Sequence, residues 1–120
     1  MGYLALSRLA AFELEDIEQY SIENWGKAVA KRYMRAIEEA LGRIKENPGL
    51  LRESPQISEH LKLYRVGSHF LVCALVSENV YVLSVKHGAM DLPERLGELE
   101  PTLRQEVVIL HRAFLKSLGS

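Results

Sequence analysis

One cysteine in 120 residues leaves no partner for an intrachain disulfide. Cys73 lies inside an apolar run and reads as a small buried hydrophobe, in preference to a catalytic thiol. A chain without disulfides suits a reducing compartment, so a cytoplasmic location is expected. Long apolar runs are also missing. None approaches the ~18 residues that cross a bilayer, so no membrane association is expected. The start Met1-Gly2-Tyr3-Leu4 has no basic segment ahead of an apolar stretch, so no signal peptide is expected either. An excess of positive charge is absent: 15 Lys and Arg stand against 16 Asp and Glu, a formal net of −1. Proteins that hold nucleic acid carry a basic excess, because phosphate contacts supply most of the affinity. Direct, sequence-specific nucleic-acid binding is therefore not expected. His60, His69, His87 and His111 have no spacing that suggests a shared metal, and there is no C-x-x-C pair. No glycine-rich phosphate loop occurs, Gly88 and Gly97 standing alone. Neither a metal nor a cofactor is expected.

What remains is an ordinary globular composition, 48% apolar and 26% charged, sized for one domain with a sizeable core. Charge is distributed locally. Residues 13–23 hold Glu13, Glu15, Asp16, Glu18 and Glu23 with no basic residue. Residues 27–52 hold Lys27, Lys31, Arg32, Arg35, Arg43, Lys45 and Arg52 against three glutamates. Two successive helices of opposite sign complement each other, and a local basic patch is the other reading.

Periodicity orders the elements. Residues 3–7 read as a short strand and Ser7 as an N-cap. Ala10, Leu14, Ile17 and Tyr20 then place a helix over about 8–24. A second helix is expected over 27–46, its stripe running through Ala30, Tyr33, Met34, Ile37, Leu41 and Ile44. Asn47-Pro48-Gly49 ends it. The tight turn at Trp25-Gly26 makes the two an antiparallel hairpin, with Trp25 stapling the corner and Gly26 letting the chain reverse. After a loop containing Pro55, three β-runs follow at 61–66, 69–76 and 80–85, joined at Gly67-Ser68 and at Ser77-Glu78-Asn79. The middle run is apolar at nearly every position, which marks a central strand. Three antiparallel strands against a helical hairpin make an α+β sandwich of two layers. Asp91-Leu92-Pro93 leads into a short turn or helix, and Pro101 reads as the first residue of a final helix to about Leu118. Its stripe is Leu103, Val107, Leu110 and Phe114. Val108, Ile109 and Leu115 widen the apolar face, as for a helix packed on the domain and on another chain.

The string Tyr20-Ser21-Ile22-Glu23-Asn24-Trp25-Gly26, with Ala28, Ala30 and Arg32-Tyr33 after it, resembles the helix-hairpin signature of ParE-type toxins. Ser68-His69-Phe70-Leu71-Val72 resembles the central strand of that group. Val82-Leu83-Ser84-Val85-Lys86-His87-Gly88-Ala89-Met90-Asp91-Leu92 resembles its closing segment. Element order agrees over residues 3–98, so the chain is identified as a member of the RelE/ParE toxin–antitoxin superfamily, ParE branch. The resemblance implies a toxin domain over 1–98, with 99–120 a C-terminal helical extension longer than a typical member's, packed on the domain or on a partner.

The resemblance implies the toxin of a type II toxin–antitoxin system, with growth arrest and plasmid stabilisation as its setting. The toxin would inhibit DNA gyrase by binding and trapping its cleavage complex. A cognate ParD-like antitoxin would neutralise it in a hetero-oligomer, through a segment that folds on binding. Target-facing residues carried over on the closing motif are Lys86, His87, Met90 and Asp91, with Arg95 nearby; Met90 reads equally as a flexible core plug. Phe12, Trp25 and Tyr33 are the candidate antitoxin anchors, with burial in the core as the plainer alternative. The RelE-like alternative is a ribosome-dependent mRNA endoribonuclease, which needs a base, an acid and a cation for the phosphorane. Arg65 and His87 are the best such pair. The strands from 61 to 87 carry only Lys62, Arg65 and Lys86 as cations, which favours a non-enzymatic toxin. His87 itself suits a structural or partner-contact role more than acid–base work. Ser68 and His69, being adjacent, are expected on opposite strand faces and not as a nucleophile–base pair. An inactive, antitoxin-binding member is the third reading.

Overall fold

The structure, a computed structural model, describes residues 2–54, 58–88 and 92–119. In chain order the elements are β1 (Tyr3–Leu6), α1 (Arg8–Trp25), α2 (Lys27–Glu46) and a 3-10 turn (Pro48–Leu50). Then come β2 (Arg52–Ser54), β3 (Ser58–Val66), β4 (His69–Val76), β5 (Asn79–His87) and α3 (Leu92–Gly119). The expected strand, helical hairpin, antiparallel meander and C-terminal helix are all present. One sheet of five strands runs β1-β5-β4-β3-β2, with β1 parallel to β5 and the other pairs antiparallel. The short β2 lies in a stretch read from sequence as loop. Three residues with two exposed side chains carry no alternation from which to read a strand.

The hairpin begins at Ser7, which is fully buried. Its Oγ accepts from the Ala10 N–H (3.0 Å) and donates to the Leu83 carbonyl (2.7 Å), while its own N–H donates to the Val82 carbonyl (2.8 Å). One serine thus caps α1 and ties it to β5. Between the helices Gly26 has φ 92°, a conformation in which a side chain is strained, so glycine permits the reversal. Trp25, however, does not staple the corner: it is 66% exposed.

Apolar alternation divides the sheet between two cores. Leu71, Cys73, Val80, Val82 and Val85 face the helical hairpin, meeting Ala10, Ile37, Ala40 and Ile44. Val72, Ala74, Tyr81 and Leu83 face the other way, against Leu92, Leu96 and Leu103 of α3. The helical extension therefore packs on this domain's own sheet and adds a third layer to the sandwich. This explains why β4 is apolar throughout: it is covered on both faces. Burial also pushes the Cys73 thiol up to about 12, so the group is inert in the folded chain.

Pro101 lies inside α3 and does not begin it. The helix is continuous from Leu92, crossing the expected boundary at residues 98 and 99. Leu92, Leu96, Leu99 and Leu103 already present one apolar face to the sheet across that boundary, and their burial outweighs the cost of an interior proline.

Candidate functional site

A bulge sets the geometry of the site. From Val76↔Asn79 to Cys73↔Val82 the pairing of β4 with β5 follows directly from the turn. Between Val72 and Cys73 it slips by one residue, β5 taking the extra length. Beyond the slip, His69 stands opposite His87 and Phe70 opposite Lys86. Without it His69 would face Lys86. The slip also turns Val85 and His87 toward the hairpin, because side chains alternate along a strand.

At this end of the sheet α1, α2 and the strand ends enclose a half-open pocket of about 560 Å³. Asp16, Ile17, Tyr20, Ser21 and Trp25 line it from α1, and Val29 and Tyr33 from α2. Ser68, His69 and His87 form its floor. Tyr20 is 62% exposed at the rim beside Trp25. Phe12, 60% exposed, lies one turn before Asp16 and two before Tyr20 on the same row of α1, so it extends the apolar rim along the helix.

The floor is a connected polar cluster. The Tyr33 hydroxyl lies 2.6 Å from His69 Nδ1, 3.1 Å from the Val66 carbonyl, and accepts from the Ser68 N–H at 3.2 Å. His69 and His87 meet edge to face with ring centroids 5.1 Å apart. Desolvation first, and the neighbouring His87 second, hold His69 below its ordinary value of 6.5, so it is neutral near pH 7. Tyr33 reaches this position because the turn beside it is glycine. Gly67 has φ +57°, and a Cβ there would meet Tyr33 Cε1 at 2.6 Å. Ser68 and His69 are closer than strand alternation implied, Oγ to Nδ1 3.5 Å, because Ser68 belongs to the turn. Both turn on the Tyr33 hydroxyl, whose contact with Nδ1 is much the shorter.

Beside the floor, the outer edge of β5 is open where β1 ends. Glu13 of α1 closes it: its carboxylate accepts from the Val85 N–H (3.0 Å), the Ser84 hydroxyl (2.7 Å) and Lys86 Nζ (2.5 Å). The Lys86 and Glu13 side chains are only 15% and 16% exposed. Lys86 is thus neutralised and partly buried.

The remaining sequence candidates separate. Arg65 is exposed on β3, its Nε donating to the Gly67 carbonyl (3.0 Å) and its guanidinium 5.5 Å from the Phe70 ring centre. The register puts Arg65 opposite Phe70 and Val66 opposite His69, so Arg65 and His87 point to opposite faces of the sheet. Arg95 is exposed on the first turn of α3. Met90 and Asp91 lie outside the described residues. Trp25 and Tyr33 are brought together on one pocket. Tyr20, Asp16, Glu13 and His69 were not singled out for it from sequence, since their convergence depends on the bulge and on how α1 sits over β5. Among the described residues no group of three or more His, Cys, Asp or Glu is placed to hold a metal ion.

A helical hairpin laid on an antiparallel meander with a parallel N-terminal strand defines the class. It is the fold of a solved structure described as "Chromosomal ParDE TA system from P. aeruginosa", matched with a TM-score of 0.64 at 15% identity over 72% of this chain and 96% of that one. The chain belongs to the ParE toxin family: residues 4–92 match the model for "ParE toxin of type II toxin-antitoxin system, parDE". Relatives include Toxin ParE of Escherichia coli, 27% identical over 78% of this chain and 91% of its own length. Toxin ParE1 of Caulobacter vibrioides is 32% identical over 77% and 95%. Toxin ParE1 of Mycobacterium tuberculosis is 30% identical over 76% and 94%.

Proposed function

We propose that this ParE-family chain arrests growth by binding DNA gyrase and trapping its cleavage complex, with no catalysis of its own, and that a ParD-like antitoxin neutralises it in the cytoplasm. The observation that carries the non-catalytic reading is the fate of the cations. Ribonuclease chemistry needs a cation beside the acid–base group to hold the phosphorane. Lys86 is spent on Glu13, and Arg65 lies over Phe70 on the face away from His87. The gyrase target itself rests on the family.

The target-facing set is His87 and Arg95, with Met90 and Asp91 of the segment between them. Lys86 supports the strand end through Glu13. Residues 1–98 carry this function, and 99–120 extend it. The antitoxin takes the pocket. Exposed Trp25 and Phe12 and half-buried Tyr33 offer aromatic surface of the kind that anchors a segment folding on binding.

Pulse labelling of DNA and protein synthesis just after induction of the chain alone tests the target. Early loss of DNA synthesis with protein synthesis continuing is expected, followed by gyrase-dependent DNA cleavage with purified components. Immediate loss of protein synthesis would overturn the reading in favour of a ribonuclease. Lys86→Ala also strips Glu13 of its cation, so His87→Ala/Arg95→Ala is the sharper variant; it should lose toxicity while folding and binding antitoxin. Because Trp25 is exposed, Trp25→Ala should leave stability within about 0.5 kcal/mol and weaken antitoxin binding by roughly tenfold or more.

A further inference from the structure

The family match ends at residue 92, where α3 begins. The curated relatives are covered nearly end to end, so this helix is what the chain has beyond them. Its 28 residues span about 42 Å, and one face packs on the sheet. A second face is largely exposed among the described residues, its Val108 and Leu115 bordering the sheet beside Val76. Pro101, Val108 and Leu115 recur there every seven residues, flanked by Gly97, Arg104 and Leu118; His111, the next position of that spacing, turns instead to the Tyr81 hydroxyl of the sheet, 2.7 Å from its Nδ1. Val108, Leu115 and Leu118 are each more than half exposed.

The stripe is asymmetric in both size and charge. Toward the start it is small, at Gly97 and Pro101, which lie in a shallow groove of about 440 Å³ walled by Glu100, Arg104, Gln105 and Val108. Toward the end it carries the large side chains. Flanking charges follow the same division. The first third of α3 holds Glu94, Glu98 and Glu100 with Arg95 alone opposing them, and the rest holds Arg104, Arg112 and Lys116 against Glu106. By helical angle Glu94, Glu98, Arg112 and Lys116 border the same side of the stripe. In an antiparallel helix pair residues on one side of the seam meet their equivalents on the partner. Laid against a copy of itself with the two-fold axis near residue 106, α3 puts Leu115 into the partner's Gly97–Pro101 groove. The same placement sets Glu98 between the partner's Arg112 and Lys116. A parallel pair would set like charge on like.

We propose that the outer face of α3 is a homodimer interface, in which two copies of the chain pair through antiparallel α3 helices. It is isologous, each copy giving the large basic end to the other's small acidic end. The proposal is independent of the toxin's target and of the pocket between α1 and α2.

Sedimentation equilibrium of the full-length chain tests it. The wild type should be dimeric at about 100 µM, a concentration suited to a small interface. Leu115→Glu, at an exposed position, should keep the helical circular dichroism and raise the dissociation constant by roughly a hundredfold or more. Orientation is read by charge reversal. Glu94→Lys/Glu98→Lys and Arg112→Glu/Lys116→Glu should each be monomeric alone and should form a heterodimer when mixed. A wild type monomeric throughout, or a dimer indifferent to Leu115→Glu, would overturn the proposal. So would a helix face that protects only when the antitoxin is added, with no self-association.

Discussion

His87 stands opposite His69 across the β4–β5 pair, the rings 5.1 Å apart, and only a one-residue bulge puts it there. Around this pair stand Tyr33, Ser68 and, from α1, Asp16. His69 has a folded-state affinity for protons below that of the unfolded chain, because burial and then His87 disfavour its charged form. The stability this represents is complete above the unfolded value of 6.5. It is lost as pH falls from there toward the lowered value of His69, since the unfolded chain takes up the proton first. The melting temperature should therefore fall on acidification below about pH 6.5, and less steeply in His69→Gln. An identical slope in the variant would remove His69 from the explanation.

Gly67→Ala carries two costs. A left-handed φ of +57° disfavours any side chain, by about 1 kcal/mol. The new methyl also meets the Tyr33 ring, which is held by the Val66 carbonyl and His69. In the wild type the loss should reach roughly 2–3 kcal/mol, and in a Tyr33→Ala background only the conformational part should remain. Strict additivity in the double-mutant cycle, measured by denaturant unfolding, would show that the two do not press on each other.

Glu13 and Lys86 should not be equivalent. Removing the carboxylate leaves three donors without their acceptor: the Val85 N–H, the Ser84 hydroxyl and the ammonium. Glu13→Ala is expected to cost about 2–4 kcal/mol, and Lys86→Ala less, because the carboxylate keeps two hydrogen bonds. Equal losses in urea titrations would mean that the ion pair outweighs the closing of the strand edge.

Ser7→Ala should cost about 1–3 kcal/mol, more than an ordinary exposed cap. Its hydroxyl both caps α1 and satisfies the Leu83 carbonyl at the bulge. Hydrogen exchange should quicken in the first turn of α1 and at the start of that bulge together. Exchange confined to the helix would separate the two roles.

Much of this molecule was legible in one dimension. The stripe through Ala30, Ile37 and Ile44 gave α2 its full extent, 27–46, and Ser7 declared the start of α1, because both signals are local. Gly67-Ser68 fixed the β3–β4 turn for the same reason. The C-terminal helix was harder. Proline at 101 is a strong start signal, yet the leucines before it had a sheet to bury against. Trp25 misled in the other direction: its size suggested a staple, while its exposure follows from the open rim of the pocket.

The sequence by itself determined the elements other than β2 and the start of α3, their order and the apolar faces they offer, since each follows from periodicity and from caps and turns within a few residues. The tertiary structure decided which functional groups meet. One inserted residue in β5 reverses the facing of every side chain after it. That slip turns His87 toward Tyr33 and His69 and away from the face that carries Arg65 and Phe70. No local pattern encodes it, because a bulge exists only in the pairing of β5 with β4, residues brought together by the fold.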